Sequence, residues 1–119
     1  MQTVERKLNR YEAKELLKRW GGTGETLQYL ELREALRHAA GEDAAGIAAQ
    51  IREVTAFEAR MDEWMDAHLT IAQAQILHLR YIRGEKWSEI AQETGLSESR
   101  VRHIHGEIMD RLVETWEEE

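Results

Sequence analysis

Residues 87–112, WSEIAQETGLSESRVRHIHGEIMDRL, limit the folds open to this chain more than any other stretch. They read as a helix, a tight turn containing Gly95, and a second helix opened by Ser97. Ile90 and Ala91 lie on the first helix and Leu96 in the turn. Val101, Ile104, Ile108 and Leu112 recur at steps of three and four along the second, forming one apolar stripe. Two short helices joined in this way are a helix-turn-helix, whose second helix can enter a DNA major groove. At about 100° per residue the four stripe residues fall within roughly 60° of one another and must be buried. Ser99, Arg102, His103 and Gly106 point the opposite way. Three of these can hydrogen-bond a base edge or a phosphate, and the glycine would let a backbone come close. Arg100 falls on the flank, where a phosphate or an acid is the expected partner. Asp110 points outward nearly three turns in, so base reading is expected only from the first two turns.

The remainder of the chain also reads as helix. It contains no proline and no cysteine. Missing thiols exclude disulfides and thiolate metal sites, and a reducing cytoplasm is the default compartment. No apolar run reaches the ~18–20 residues of a membrane span, and no signal-peptide pattern opens the chain. A first helix over 5–20 carries Leu8, Tyr11, Leu16, Leu17 and Trp20, with Arg6, Lys7, Arg10, Lys14, Lys18 and Arg19 between them. Gly21, Gly22 and Gly24 are expected to form a loop, with Thr23 or Thr26 capping a helix over 26–40. Gly41 closes that helix, and Asp43 can cap a third one running to His68. Ile47, Ile51, Val54, Phe57, Met61, Trp64 and His68 give this third helix a sustained seam. The seam suits either an internal core or pairing of two copies through the helix 44–68. Thr70 with Gln73 has the form of a capping box and starts a helix to about Arg83, ended by Gly84. The expected fold is all-α: a helical N-terminal region, 1–69, for packing or dimerisation, and a helix-turn-helix region, 70–119, in one compact unit.

ILHLRYIRGEKWSEIAQETGLSESRVRHIHGEIMDRL, residues 76–112, resembles region 4 of sigma-70-type bacterial sigma factors. The upstream helix ILHLRY, the I-A-x-x-x-G-L-S turn and the S-x-x-R-V-R-x-I second helix carry the likeness. The resemblance implies double-stranded DNA as partner, host RNA polymerase as a second, and contacts from four residues after the capping Ser97. These fall on Glu98, Ser99, Arg102 and His103; Lys86, Trp87 and Ser88 match a phosphate-contacting position, and Arg80 and His78 match positions that are usually basic. Glu98 stands where an arginine is common and His103 where a glutamine is common, so promoter specificity does not carry over. Nothing upstream resembles the aromatic-rich promoter-melting region, so the expectation is a small regulator and not a complete sigma factor. In size and layout the chain is similar to phage-encoded transcriptional regulators of the RinA/ArpU kind.

Charge runs against DNA binding, since the chain carries a net −7. Six cations and six acids balance over residues 70–113, and Glu114, Glu117, Glu118 and Glu119 add an acidic tail. The basic residues of the first helix read as a solvated face or as added phosphate contacts. His103 and His105 lie two apart and point about 200° away from each other on a helix, which disfavours a metal site. Trp87 reads as a core anchor with a DNA-side edge. Asp62, Glu63 and Asp66 are helix-face charges, and no nucleophile motif or phosphate loop accompanies them, so no enzyme activity, cofactor or metal is expected. A DNA-packaging recognition subunit like a small terminase subunit, or a sigma-like module that docks on polymerase or another protein, are the alternatives.

Overall fold

A computed structural model describes residues 7–117, and every regular element among them is helical. The helices are α1 (Arg10–Gly21), α2 (Thr23–Ala39), α3 (Ala45–His68), α4 (Ile71–Leu77), α5 (Trp87–Thr94) and α6 (Glu98–Thr115). A π-helical turn, His78–Ile82, continues α4. The fold is all-α, as the sequence predicts.

Helix α1 begins later than its apolar spacing implies. Asn9 and Glu12 form a reciprocal capping box, in which Asn9 Oδ1 accepts from the Glu12 N–H at 2.8 Å and Glu12 Oε1 accepts from the Asn9 N–H at 3.2 Å. Residues 1–6, including Arg6 and the expected start at residue 5, lie outside the described residues. The expected glycine loop is absent as well. Gly21 ends α1, Gly24 lies inside α2, and Gly22 alone turns the chain with right-handed φ and ψ of −92° and −2°. No longer loop is needed, because local bonds already satisfy the junction. The Gly22 N–H returns to the carbonyls of Lys18 and Arg19, and the buried Thr23 hydroxyl donates to the Trp20 carbonyl at 2.8 Å. Thr23 is thus the first helical residue and not the cap.

Helices α2 and α3 form a hairpin across Gly41, which takes φ +72°. Asp43 Oδ1 accepts from the Ala45 N–H at 3.0 Å and closes the start of α3. The hairpin extends the molecule to 54 × 48 × 22 Å, with a radius of gyration of 17.4 Å. A compact domain of this length would have roughly 13–14 Å, so the hairpin projects from the rest. The seam of α3 is divided along its length. Phe57, Met61 and Trp64 are buried in the main core, Ile47 is buried farther along, and Ile51 and Val54 are half-buried. Met61 has no exposed surface and cannot belong to an intermolecular seam. Of the α3 seam only Ile51, Val54 and His68 keep partial exposure.

The main core joins both halves of the chain. Leu17 and Trp20 of α1 and Phe57, Met61 and Trp64 of α3 meet Leu77 of α4 and Ile108 and Leu112 of α6. A smaller cluster, Ile76, Leu79, Ile90 and Val101, holds the helix-turn-helix together. Thr70 and Gln73 make the expected capping box, at 3.2 and 2.9 Å. The helix they start does not remain α to Arg83. It widens at His78, where the Arg83 N–H reaches the carbonyl five residues back at 3.1 Å. This turn puts Leu79 into the small cluster and Tyr81 against α6.

Gly21 sits where α1 crosses the π turn, and a Cβ there would run into the Tyr81 carbonyl group. Gly24, one turn on, has open space around it. Gly21→Ala should therefore lose about 1–3 kcal/mol, because backbone must move. Gly24→Ala should gain about 0.5–1 kcal/mol by restricting the unfolded chain. Urea unfolding of the two variants beside the parent measures both, and equal effects would contradict the close crossing.

Candidate nucleic-acid interface

The ends of the two helices of the motif are set by local chemistry. Glu89 Oε1 accepts from the Lys86 N–H at 2.9 Å and caps α5 from within its first turn. Ile90 is fully buried, and Gly95 ends α5 in the left-handed region at φ +73°. Ser97 is extended, and its Oγ accepts from the Arg100 N–H at 3.0 Å. That bond leaves the Ser97 hydroxyl proton available to a phosphate. Val101, Ile108 and Leu112 are buried and Ile104 is half-buried, so the stripe read from the sequence is the inner face of α6.

Glu98, Ser99, Arg100, Arg102 and His103 are all exposed on the first two turns of α6, and Lys86 and Ser88 are exposed at the start of α5. The structure draws part of this set together. Trp87 is half-buried, with the Arg80 guanidinium 4.2 Å from its ring centroid and that of Arg102 at 6.0 Å. Arg80 also donates to the Glu85 carbonyl at 3.0 Å, which fixes its head beside the indole. Arg102 pairs with Glu98 at 2.9 Å, one turn back on the same helix. Glu98 thus holds Arg102 along the exposed face of the helix. His103 and Arg100 share Glu107, at 2.8 and 3.9 Å. Arg100 faces a separate groove with Thr70, Gln73 and Leu96, away from Trp87. His78 is exposed at the start of the π turn.

Gly106 does not provide an open approach. Arg10 of α1 covers it, donating from Nη2 to the Gly106 carbonyl at 3.1 Å and from Nε to Asp110 at 3.0 Å. Arg10 of α1 therefore occupies the outward side of α6 at Gly106 and Asp110. The sequence also says little about His105, which is buried and not a surface partner of His103. Its Nε2 lies 2.6 Å from the Tyr81 hydroxyl, and its ring meets Trp87 edge-on at 4.8 Å between centroids. Burial, and then the nearby charges of Arg80, Lys14 and Arg10, push His105 down to about 4. Burial pushes Tyr81 up to about 12. Both side chains are neutral near pH 7, and the hydroxyl can donate to Nε2 when the ring proton is on Nδ1. The pair is a buttress that sets the angle of Trp87. Its only sequence signal is the inward position of His105 next to the stripe, between Val101 and Ile108.

A cleft of about 950 Å³ opens beside this buttress. Lys14 and Lys18 of α1 line it together with Arg80, Trp87 and Arg102, and Glu25 is the one acid in its lining. Among the described residues no three His, Asp or Glu side chains gather as a metal-binding group.

Residues 67–114 match the family described as "Sigma-70, region 4". The segment is a sigma-70 region 4-like helix-turn-helix. The match covers α4 to α6 with the π turn and leaves α1, α2 and nearly all of α3 outside it. No curated protein and no solved structure matches the chain. Region 4 segments of this kind bind DNA, which accords with the exposed polar face of α6. No helix among the described residues is long and apolar enough to cross a membrane.

Stability should fall in acid through His105. Its folded value of about 4 lies below the ordinary 6.5 that applies to the unfolded chain. Above pH 6.5 neither state is protonated and the contribution is intact. As pH falls from 6.5 to 4 the unfolded chain takes up a proton that the folded one refuses, at a cost of up to about 3 kcal/mol. Urea unfolding of the parent should show this slope, and His105→Phe should remove it. A slope that is identical in the variant would assign the acid sensitivity to other groups.

Proposed function

We propose that this protein is a sequence-specific double-stranded DNA-binding transcriptional regulator that acts at promoters in the bacterial cytoplasm and has no enzymatic activity. The observation that carries the reading is the projection of Arg102 from a capped, well-buried helix, beside Trp87 and Arg80. An arginine at this place can hold guanine O6 and N7 together, which is worth roughly 1–3 kcal/mol of discrimination. Lys86, Trp87 and Ser88 at the start of α5, with Arg80, would meet the flanking phosphates. Ser97, Ser99, Arg100 and His103 complete the proposed contact set. The joining of a helical N-terminal half to a region 4-like segment supports a regulator of the phage or prophage type, with host RNA polymerase as a second partner. A small terminase-like packaging subunit would instead assemble as a ring of many copies. A module that docks only on polymerase would bind no duplex. Two copies pairing through the seam of α3 would use its partly exposed part, which includes Ile51 and Val54, and Ile51→Glu with Val54→Glu should then halve the mass seen by light scattering.

Anisotropy titrations against a panel of duplexes, selected from random sequence with the parent protein, test the reading. Arg102→Ala should lower affinity for the selected site by about one to two decades and relax one base position. Lys86→Ala should weaken all duplexes alike and reduce the salt slope by about one contact. Glu98→Gln, which releases Arg102, should tighten binding to every sequence. Unchanged binding by the Arg102 variant across the panel would remove base reading from α6.

A further inference from the structure

We propose that Lys14 and Lys18 of α1 form a second DNA contact, gripping phosphates of the strand that runs beside Trp87 and Arg80. The N-terminal half would then be part of the binding surface and not only a support for it. This rests on the DNA-binding reading above and adds to it residues that the region 4 match does not include.

The two lysines lie one turn apart, are both exposed, and share one cleft with Arg80, Trp87 and Arg102. Lys18 has only an exposed pair with Glu15, at 3.3 Å, which a phosphate can displace at little cost. Lys14 makes no ion pair among the described residues. Their position relative to the recognition helix is fixed at both ends of α1. Arg10 ties the start of α1 to Gly106 and Asp110 of α6, and Gly21 seats its end against the Tyr81 backbone. His105 of α6 lies within reach of the same charges: burial first, and then Arg80, Lys14 and Arg10, lower its titration. Gly21, Gly22 and Gly84 form part of the cleft wall and place no side chain in the way of a sugar-phosphate chain. Four cations against Glu25 make the cleft positive on a chain of net charge −7, and a polyanion is the partner of matching charge.

The test uses the full chain and two fluorescent duplexes, one selected and one of random sequence, over a range of salt concentrations. Lys14→Gln with Lys18→Gln should weaken both duplexes by a similar factor, about tenfold or more near physiological salt. The slope of log affinity against log salt should fall by about 1.8, two contacts at roughly 0.9 each, with the ratio between duplexes unchanged. Arg52→Gln, an exposed cation on α3, should leave affinity and slope as they were. Trimming the selected duplex on the side that lies against α1 should weaken the parent and have little further effect on the lysine variant. Circular dichroism melting of the variant should match the parent, since neither lysine is buried. Unchanged affinity and slope in the lysine variant, with Arg102→Ala still impaired, would overturn the clamp while leaving DNA reading in place, and the cleft would go to an acidic protein segment. Failure of the parent to bind either duplex would overturn both.

Discussion

Helix α6 packs into two cores at once, and the rest of the molecule is organised around that fact. Val101 near its start is buried with Ile76, Leu79 and Ile90, while Ile108, Met109 and Leu112 are buried with α1 and α3. Ile104 touches both clusters. Each such side chain contributes about 1.5–3 kcal/mol by leaving water, so the helix cannot turn about its axis without losing several at once. Its outward residues hence have a fixed direction. The N-terminal half is what makes the second core possible, because Leu17, Trp20, Phe57 and Met61 supply its opposite wall. The region 4-like segment, α4 to α6, has only the small cluster within itself, and α1 and α3 anchor it through the larger core.

What could be read from the sequence was local, and what could not was contact between distant elements. The Thr70–Gln73 box, the Ser97 cap and the left-handed glycines at 41, 84 and 95 are satisfied within a few residues of themselves. Their outcome does not depend on tertiary structure. The Asn9–Glu12 box is equally local, and only the weight given to apolar spacing hid it. Gly21 is different. As one of three close glycines it looks like loop, yet it is needed because the Tyr81 backbone passes there, a contact across sixty positions of sequence. The π turn likewise has no pattern of its own; it is the register that lets Leu79 and Tyr81 both face inward.

The proposed site divides in the same way. Periodicity places Ser99, Arg102 and His103 on the outer face of α6, and all three are exposed there. Periodicity could not show that Arg80 would cross from the π turn to stack on Trp87, or that Arg10 would cover Gly106. The basic spacing of Lys14 and Lys18 was visible as a charged helix face. Only the crossing of α1 over the π turn gives that face a direction.

Acidity, which first counts against DNA binding, takes on a more specific meaning once the pairs on α6 are drawn. Arg102 is held by Glu98, and Arg100 and His103 share Glu107. All are exposed pairs, so each is worth at most about 1 kcal/mol. A phosphate offers any cation much the same attraction as the carboxylate it would replace, so general affinity for duplex is held down. On the proposed reading, a guanine edge would offer Arg102 roughly 1–3 kcal/mol of discrimination through two directed bonds. The exchange then favours the correct base over an arbitrary backbone contact. On the proposed reading, cations off α6, such as Lys86 at the start of α5, would carry the non-specific share of binding, and the carboxylates of α6 would raise selectivity at the expense of strength.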